Sequence, residues 1–324
     1  MMNLGLDLGY SATKAVAGPQ RMITFPSVVG TPEKARFSIN GTEDNIILKT
    51  DRGTKQVGEG AVLQSRFQDR PEDRAWIESD AYHYLMLAAF TELTTATSCD
   101  LMVVTGLPVA FYSDKNLLRD RLLGEHRVAR EGRRAQLFRV TDARVIPQPF
   151  GALVAETLND HGKVIDPDLA AGVVGVIDVG GKTCNLLSVN RLTEVGRETS
   201  SVSVGAWDAA RALGDYLTEH YPRLSLRDHQ INDIIVKRQM SYEQEPVDMG
   251  AVVDAILEPM ADQVIAEASQ LWNGGASLDA ILVAGGGALL LSPFLERRFP
   301  RLRVVDNPVY ANSIGFWRFA QMLT

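Results

Sequence analysis

Two stretches of the chain share one pattern of apolar and polar positions. NLGLDLGYSATKAV (residues 3–16) and VGVIDVGGKTCNLLSV (174–189) each run from an apolar segment into Asp-x-Gly, a polar tip and a second apolar segment. The alternation on both sides of the tip predicts strand, tight turn, strand. Elsewhere ESDAYHYLMLAAFTELTT (78–95) carries apolar residues at helical spacing, and DLMVVTGLP (100–108) reads as a buried strand closed by Gly-Leu-Pro. HRVAREGRRAQLFRV predicts a hairpin turning at Glu131-Gly132, and ARVIP leads through QPF into a helix from Gly151. GAWDAARALGDYLTEHY (205–221) is an amphipathic helix, and residues 225–272 read as mostly helical. LDAILVAGGGALLLSPFLERRF is strand, glycine turn, helix; RLRVVDNPVYANSIGFWRFAQML is a strand and a last helix.

Strands alternate with helices, yet each half begins with a hairpin, which predicts an α/β chain with mixed sheets. The repeat predicts duplicated domains. Domain I spans 1–149, with a small polar insert at 31–75 that carries a strand at NIILKT, and is completed by the helix at 307–324. Domain II spans 150–306, with a helical subdomain over about 206–272.

Composition narrows the function. With 324 residues, 45% of them hydrophobic, the chain can build one or two packed cores. A formal net charge of −7 argues against a broad grip on nucleic acid, which needs clustered Lys and Arg. The two cysteines, Cys99 and Cys184, form neither a disulfide framework nor a zinc spacing and suit a reducing cytoplasm. The start, MMNLGLDLGY, reads as a strand rather than a leader peptide, and no apolar run approaches the roughly 20 residues of a membrane span.

The second repeat superficially resembles a P-loop at Gly181-Lys182-Thr183. That signature requires glycine at 176, where the chain has Val176, and a helix where Asn185–Val189 reads as a strand. The hairpin itself is the device. Backbone N–H groups of a tight turn can face phosphate oxygens, and glycine allows close approach. An Asp at each strand end, Asp7 and Asp178, can hold a hydrated Mg2+ or a water. Two such hairpins would clamp a polyphosphate.

The order of these elements resembles the actin/Hsp70/sugar-kinase superfamily over nearly the whole chain. DLGYSATK is similar to its first phosphate loop, IPQPFGALVAE to the first connecting helix and IDVGGKT to the second phosphate loop. ILVAGGGALLL is similar to the adenosine loop, and DNPVYANSIGFWRFA to the second connecting helix. Within the superfamily, VVTGLPVAFYSDKNLLRDRLLGEHRV and NPVYANSIGF resemble the ParM/StbA branch of plasmid-segregating actins and their archaeal relatives.

The resemblance implies an actin-like (ribonuclease H-like) fold whose duplicated domains flank a nucleotide cleft. It implies ATP or GTP with Mg2+ as cofactors. Asp7 and Asp178 would hold the metal through water, with Asp178 also able to position the attacking water. Lys14 would reach the β- and γ-phosphates as a point charge, and Gln148 would orient the hydrolytic water. A neutral Gln is no strong base, so turnover would be slow and rest on positioning. Gly9, Tyr10, Ser11, Ala12 and Thr13 would line the first phosphate loop, and Gly180, Gly181, Lys182 and Thr183 the second. Gly285, Gly286 and Gly287 would pass close to the adenosine, with Lys237 near the ribose. Asp208, after the Gly205 turn, reads as a helix N-cap. Lys182 at the second tip and Asn185 in place of a further Asp depart from the family pattern.

The function implied is an actin-like ATPase that polymerises with ATP and disassembles after hydrolysis. Its partners would be copies of itself and a DNA-binding adaptor that carries plasmid DNA, with no direct contact to nucleic acid or membrane. A non-polymerising scaffold and a small-metabolite kinase of the same superfamily are the alternatives.

Overall fold

The computed structural model describes residues 1–33, 45–69 and 74–324. The chain divides into two compact units, Met1–Ala170 with Tyr310–Thr324, and Ala171–Val309.

The first unit opens with an antiparallel meander of β1 (Met2–Leu8), β2 (Ala12–Val16) and β3 (Met22–Pro26). Then come β4 (Val29–Gly30), β5 (Ile46–Thr50), β6 (Gly53–Val57), α1 (Glu59–Gln64), β7 (Gln68–Asp69) and α2 (Asp80–Leu93). They are followed by β8 (Ser98–Leu107), α3 (Lys115–Leu122), β9 (Gly124–Arg130), β10 (Gln136–Pro147), α4 (Phe150–Thr157) and the short α5 (Pro167–Ala171). Among the described residues the strands form one ten-stranded mixed sheet, ordered β3-β2-β1-β8-β10-β9-β5-β6-β4-β7. β1 pairs antiparallel with β2 and parallel with β8.

The second unit repeats that plan. β11 (Val173–Val179) pairs antiparallel with β12 (Cys184–Asn190), and parallel with the later β17 (Ala280–Ala284). Between them lie β13 (Thr193–Glu194), β14 (Ser200–Val202), α6 (Ala206–His220), α7 (Asp228–Lys237), β15 (Gln239–Tyr242), β16 (Glu245–Asp248) and α8 (Gly250–Leu271). α9 (Ala288–Leu295) and β18 (Leu302–Val304) complete it. Ile177, Val179, Cys184 and Leu186 point into a core shared with α6 and α8. Strand alternation then turns Asp178 and Asn185, a cross-strand pair, to the opposite face.

The last helix, α10 (Ala311–Leu323), belongs to the first unit. It crosses β1 at Gly5, where a Cβ would collide with the Ser313 carbonyl and the Trp317 amide. It crosses α4 at Gly151, whose Cβ would lie 2.7 Å from Asn312 O. Asn312, itself buried, accepts from Ala152 N at 3.2 Å. Phe316 and Ala320 pack on Met102 and Val104. A buried Phe in such a setting is worth about 3–5 kcal/mol against Ala.

Three features differ from the sequence reading. The division falls between Ala170 and Ala171 rather than at 149/150, because α4 packs on α10. The insert strands join the main sheet, since β5 pairs with β9 at Leu48↔Arg130; residues 34–44 and 70–73 of that insert lie outside the described residues. The helical stretch 225–272 is interrupted by the β15–β16 hairpin.

Candidate functional site

The first hairpin is pinned from below. Asp7 and Lys14 face each other across β1 and β2. Asp7 is buried, and Lys14 Nζ approaches its Oδ2 at 3.3 Å. The other carboxylate oxygen is taken by Gln148, whose Nε2 donates to Asp7 Oδ1 at 2.8 Å. Gln148 is fixed in turn by its backbone N–H, which donates to Leu107 O at 2.8 Å at the end of β8. Three residues from β1, β2 and the β10–α4 junction thus meet at one carboxylate.

The tip, Gly9–Ala12, closes with Gly9 N donating to Ala12 O at 3.2 Å. Ser27, fully buried, props it: Ser27 Oγ donates to Gly9 O at 2.7 Å and Ser27 N to Ser11 O at 3.0 Å. Thr13 Oγ1 then supplies the proton of its 3.0 Å bond to Ser27 Oγ.

The second hairpin repeats the closure, with Gly180 N donating to Thr183 O at 2.9 Å. Its tip carbonyls are held by the start of α6: Ala206 N donates to Gly180 O at 3.0 Å and Trp207 N to Gly181 O at 2.8 Å. Gly205 lets the helix approach, since its Cβ would lie 2.7 Å from Lys182 N. The sequence reading places the N-cap at Asp208, but the N-cap is Gly205; Asp208 lies in the first turn and its carboxylate reaches back to accept from Gly205 N at 3.0 Å. Asp178 is buried beside the glycine turn. A Cβ on Gly285 (φ +91°) would lie 2.6 Å from Asp178 Oδ1, and one on Gly287 would lie 2.5 Å from Val179 Cγ1. Gly286 differs: among the described residues no atom comes within 4 Å of a Cβ built there. Packing therefore explains the glycines at 285 and 287 but not the one at 286. Cys184 faces the core, and burial, with Asp178 nearby, pushes its thiol well above the usual range, so it is no nucleophile.

Comparison with known proteins fits this arrangement. Residues 5–151 match the family described as the N-terminal domain of actin-like proteins, and residues 176–297 match the C-terminal domain of the archaeal, MreB-like actin homologue. The chain is an actin-like protein. It is 24% identical over 325 residues to proteins described as archaeal actin homologs from Thermoplasma acidophilum and Thermoplasma volcanium, covering 98% of each chain. The crystal structure of an archaeal actin homolog is similar with a TM-score of 0.83 at 24% identity over 100% of both chains. The same homolog in complex with ADP gives 0.81 at 22% over 100% of both chains. A 15-stranded ParM filament from Clostridium botulinum gives 0.81 at 20% over 99% of each.

In this actin-like protein Asp7, Lys14 and Gln148 come together in one unit, and Asp178, Gly180–Thr183 and Gly285–Gly287 lie around the C-terminal ends of β11 and β17 in the other. Lys237, the last residue of α7, is ion-paired with Asp233 at 2.8 Å, both side chains exposed. Arg238 pairs with Asp254. Among the described residues no helix is long and apolar enough to cross a membrane.

The residues fit a hydrated cation. Among the described residues Asn185 Oδ1, on β12, is buried with no hydrogen-bond partner, directly across from the buried Asp178 on β11. An orphaned acceptor beside a carboxylate suits water molecules that donate to both. Among the described residues no three His, Cys, Asp or Glu side chains cluster as direct ligands. Asn185 and Ser27 are the residues that sequence reasoning did not assign to the site. Ser27 carries no local signal, because its partners come from β1 and β2.

Proposed function

We propose that this actin-like protein is a Mg2+-dependent ATPase that polymerises with ATP and disassembles after hydrolysis. Its cargo would be plasmid DNA, carried through a separate DNA-binding adaptor. The observation that carries the reading is the contact of Lys14 and Gln148 with the two oxygens of Asp7. An ADP complex and a filament among its structural neighbours support it. The acidic net charge of −7 suits an adaptor better than direct DNA binding.

The chain's own groups divide the work. Lys14 brings a positive charge to the foot of the first hairpin, where it can share itself between Asp7 and a phosphate oxygen. A carboxylate only accepts, so the Gln148 amide nitrogen must face Asp7 and its Oε1 turns away, available to a water. Such a carbonyl can orient a water but cannot deprotonate it, so the reaction depends on alignment and on charge stabilisation. Each hairpin has turn amides that can face phosphate oxygens, braced by Ser27 in the first unit and by the start of α6 in the second. Bound Mg2+ would neutralise phosphate charge; the groups that could hold its waters are Asp7 in the first unit and Asp178 with Asn185 in the second.

The test follows light scattering and phosphate release together with Mg-ATP, Mg-GTP, Mg-ADP and no nucleotide, with negative-stain microscopy at the scattering maximum. ATP-dependent scattering that decays as phosphate is released is the expected result. Nucleotide binding without filaments would replace this reading with a scaffold that uses the nucleotide as a switch.

A further inference from the structure

The tip of the first hairpin leans on a row of aromatic rings. Tyr10, half-buried at the tip, lies 5.7 Å from Trp76 with the rings tilted by 39°. Trp76, on a single 3-10 turn at Arg74–Glu78, lies 4.8 Å from Tyr82 near the start of α2. Trp76 and Tyr82 are 8% and 4% exposed, so both contacts lie in the core. The row then returns to the hairpin. Tyr82 belongs to the same buried cluster as Leu6 and Leu8, which flank Asp7 on β1. The row therefore ties the tip, through Tyr10, to the strand that carries the aspartate.

The same helix holds the insert strands. Tyr84 Oη donates to Gly53 O at 2.9 Å and lies 2.9 Å from Thr50 Oγ1, both at the β5–β6 turn. Tyr82 and Tyr84 put the two contacts on one rigid turn of α2.

We propose that Trp76 is a positioning residue for the first phosphate hairpin, setting the tip relative to Asp7 and sensing what the tip binds. The inference rests on reading that hairpin as a phosphate loop. A tip held by two ring contacts presents its amides in one arrangement before ligand arrives. Loosening it makes binding bear the cost of ordering the loop.

The experiment combines calorimetric titration of Mg-ATP, tryptophan emission and steady-state kinetics on wild type, Trp76→Phe, Trp76→Ala and Tyr10→Ala. The chain has four tryptophans, so the difference between wild type and Trp76→Phe isolates the signal of Trp76. Mg-ATP should change wild-type emission, and Trp76→Phe should remove most of that change while keeping near-normal affinity. Trp76→Ala and Tyr10→Ala should weaken Mg-ATP binding by about 3- to 10-fold, the scale of one aromatic pair, raising KM more than they lower kcat. Tyr10→Ala leaves Trp76 in the core and serves if Trp76→Ala fails to fold. An emission change that survives in Trp76→Phe, or wild-type affinity in Tyr10→Ala, overturns the inference alone. No Mg-ATP binding to the wild type overturns the nucleotide reading and this inference with it.

Discussion

Lys14 and Asn185 hold the same position in the two hairpins: Lys14 pairs across the strands with Asp7, and Asn185 with Asp178. One repeat thus sets a cation against its aspartate, and the other sets a neutral amide with an orphaned oxygen. A buried acceptor without a partner costs roughly 1–3 kcal/mol. Asn185→Leu should therefore raise the melting temperature while lowering ATP turnover, a separation that differential scanning calorimetry and a phosphate assay measure directly. A variant that is destabilised and fully active would remove Asn185 from the site.

Gln148→Ala should bind Mg-ATP and polymerise, but its filaments should persist. The amide bonds to Asp7 and offers its other end to a water, so it acts mainly in the transition state. A turnover loss on the order of 10- to 1000-fold is expected, the range for one positioning group. Scattering and phosphate traces that both match wild type would leave Gln148 as a bracing residue for Asp7 only.

The glycine turn separates packing from binding. Gly285→Ala should destabilise by ~1–3 kcal/mol, since φ is +91° and the Cβ would press on Asp178. Gly286→Ala should change stability by less than about 0.5 kcal/mol, because the Cβ meets open space. Its nucleotide affinity should nonetheless fall. Equal affinity in a titration would show that no ligand approaches position 286.

Stability should decline in mild acid through a histidine pair. His83 and His126 lie 5.8 Å apart, and His126 Nε2 is 2.8 Å from Leu122 O. Burial lowers both; Arg52, His126 and Arg121 add to it at His83, whose value falls to about 4, against a weak opposing pull from Asp51. The folded protein keeps them neutral, whereas the unfolded chain takes up protons below about 6.5. The contribution of His83 is thus present above pH 6.5 and lost as pH falls from 6.5 to about 4, and that of His126 is lost in the same direction. Thermal melts across that window should drop more steeply for wild type than for His83→Gln.

The hairpins were legible because their signals are local: an apolar run, Asp-x-Gly and a polar tip adjoin in sequence. Gln148 was legible because it directly follows a strand end. What escaped depends on distant partners. Nothing in NIILKT announces that β5 will pair with β9. The β15–β16 hairpin turns at Glu243 and Gln244, which adopt φ of 50° and 69° without the Asn or Gly that would mark such a turn.

The seating of α10 on Gly5 sets a timetable for synthesis. The whole second unit is made between β1 and Trp317, so the groove on the strand bearing Asp7 stays open until it has been translated. At ribosomal speeds of roughly 5–20 residues per second that wait is on the order of 15–60 s. Residues 171–309 are made within it, while the first unit still lacks the helix that closes it. A nascent chain stalled before residue 311 would hold a finished second hairpin and a first hairpin whose strand is still open on one side.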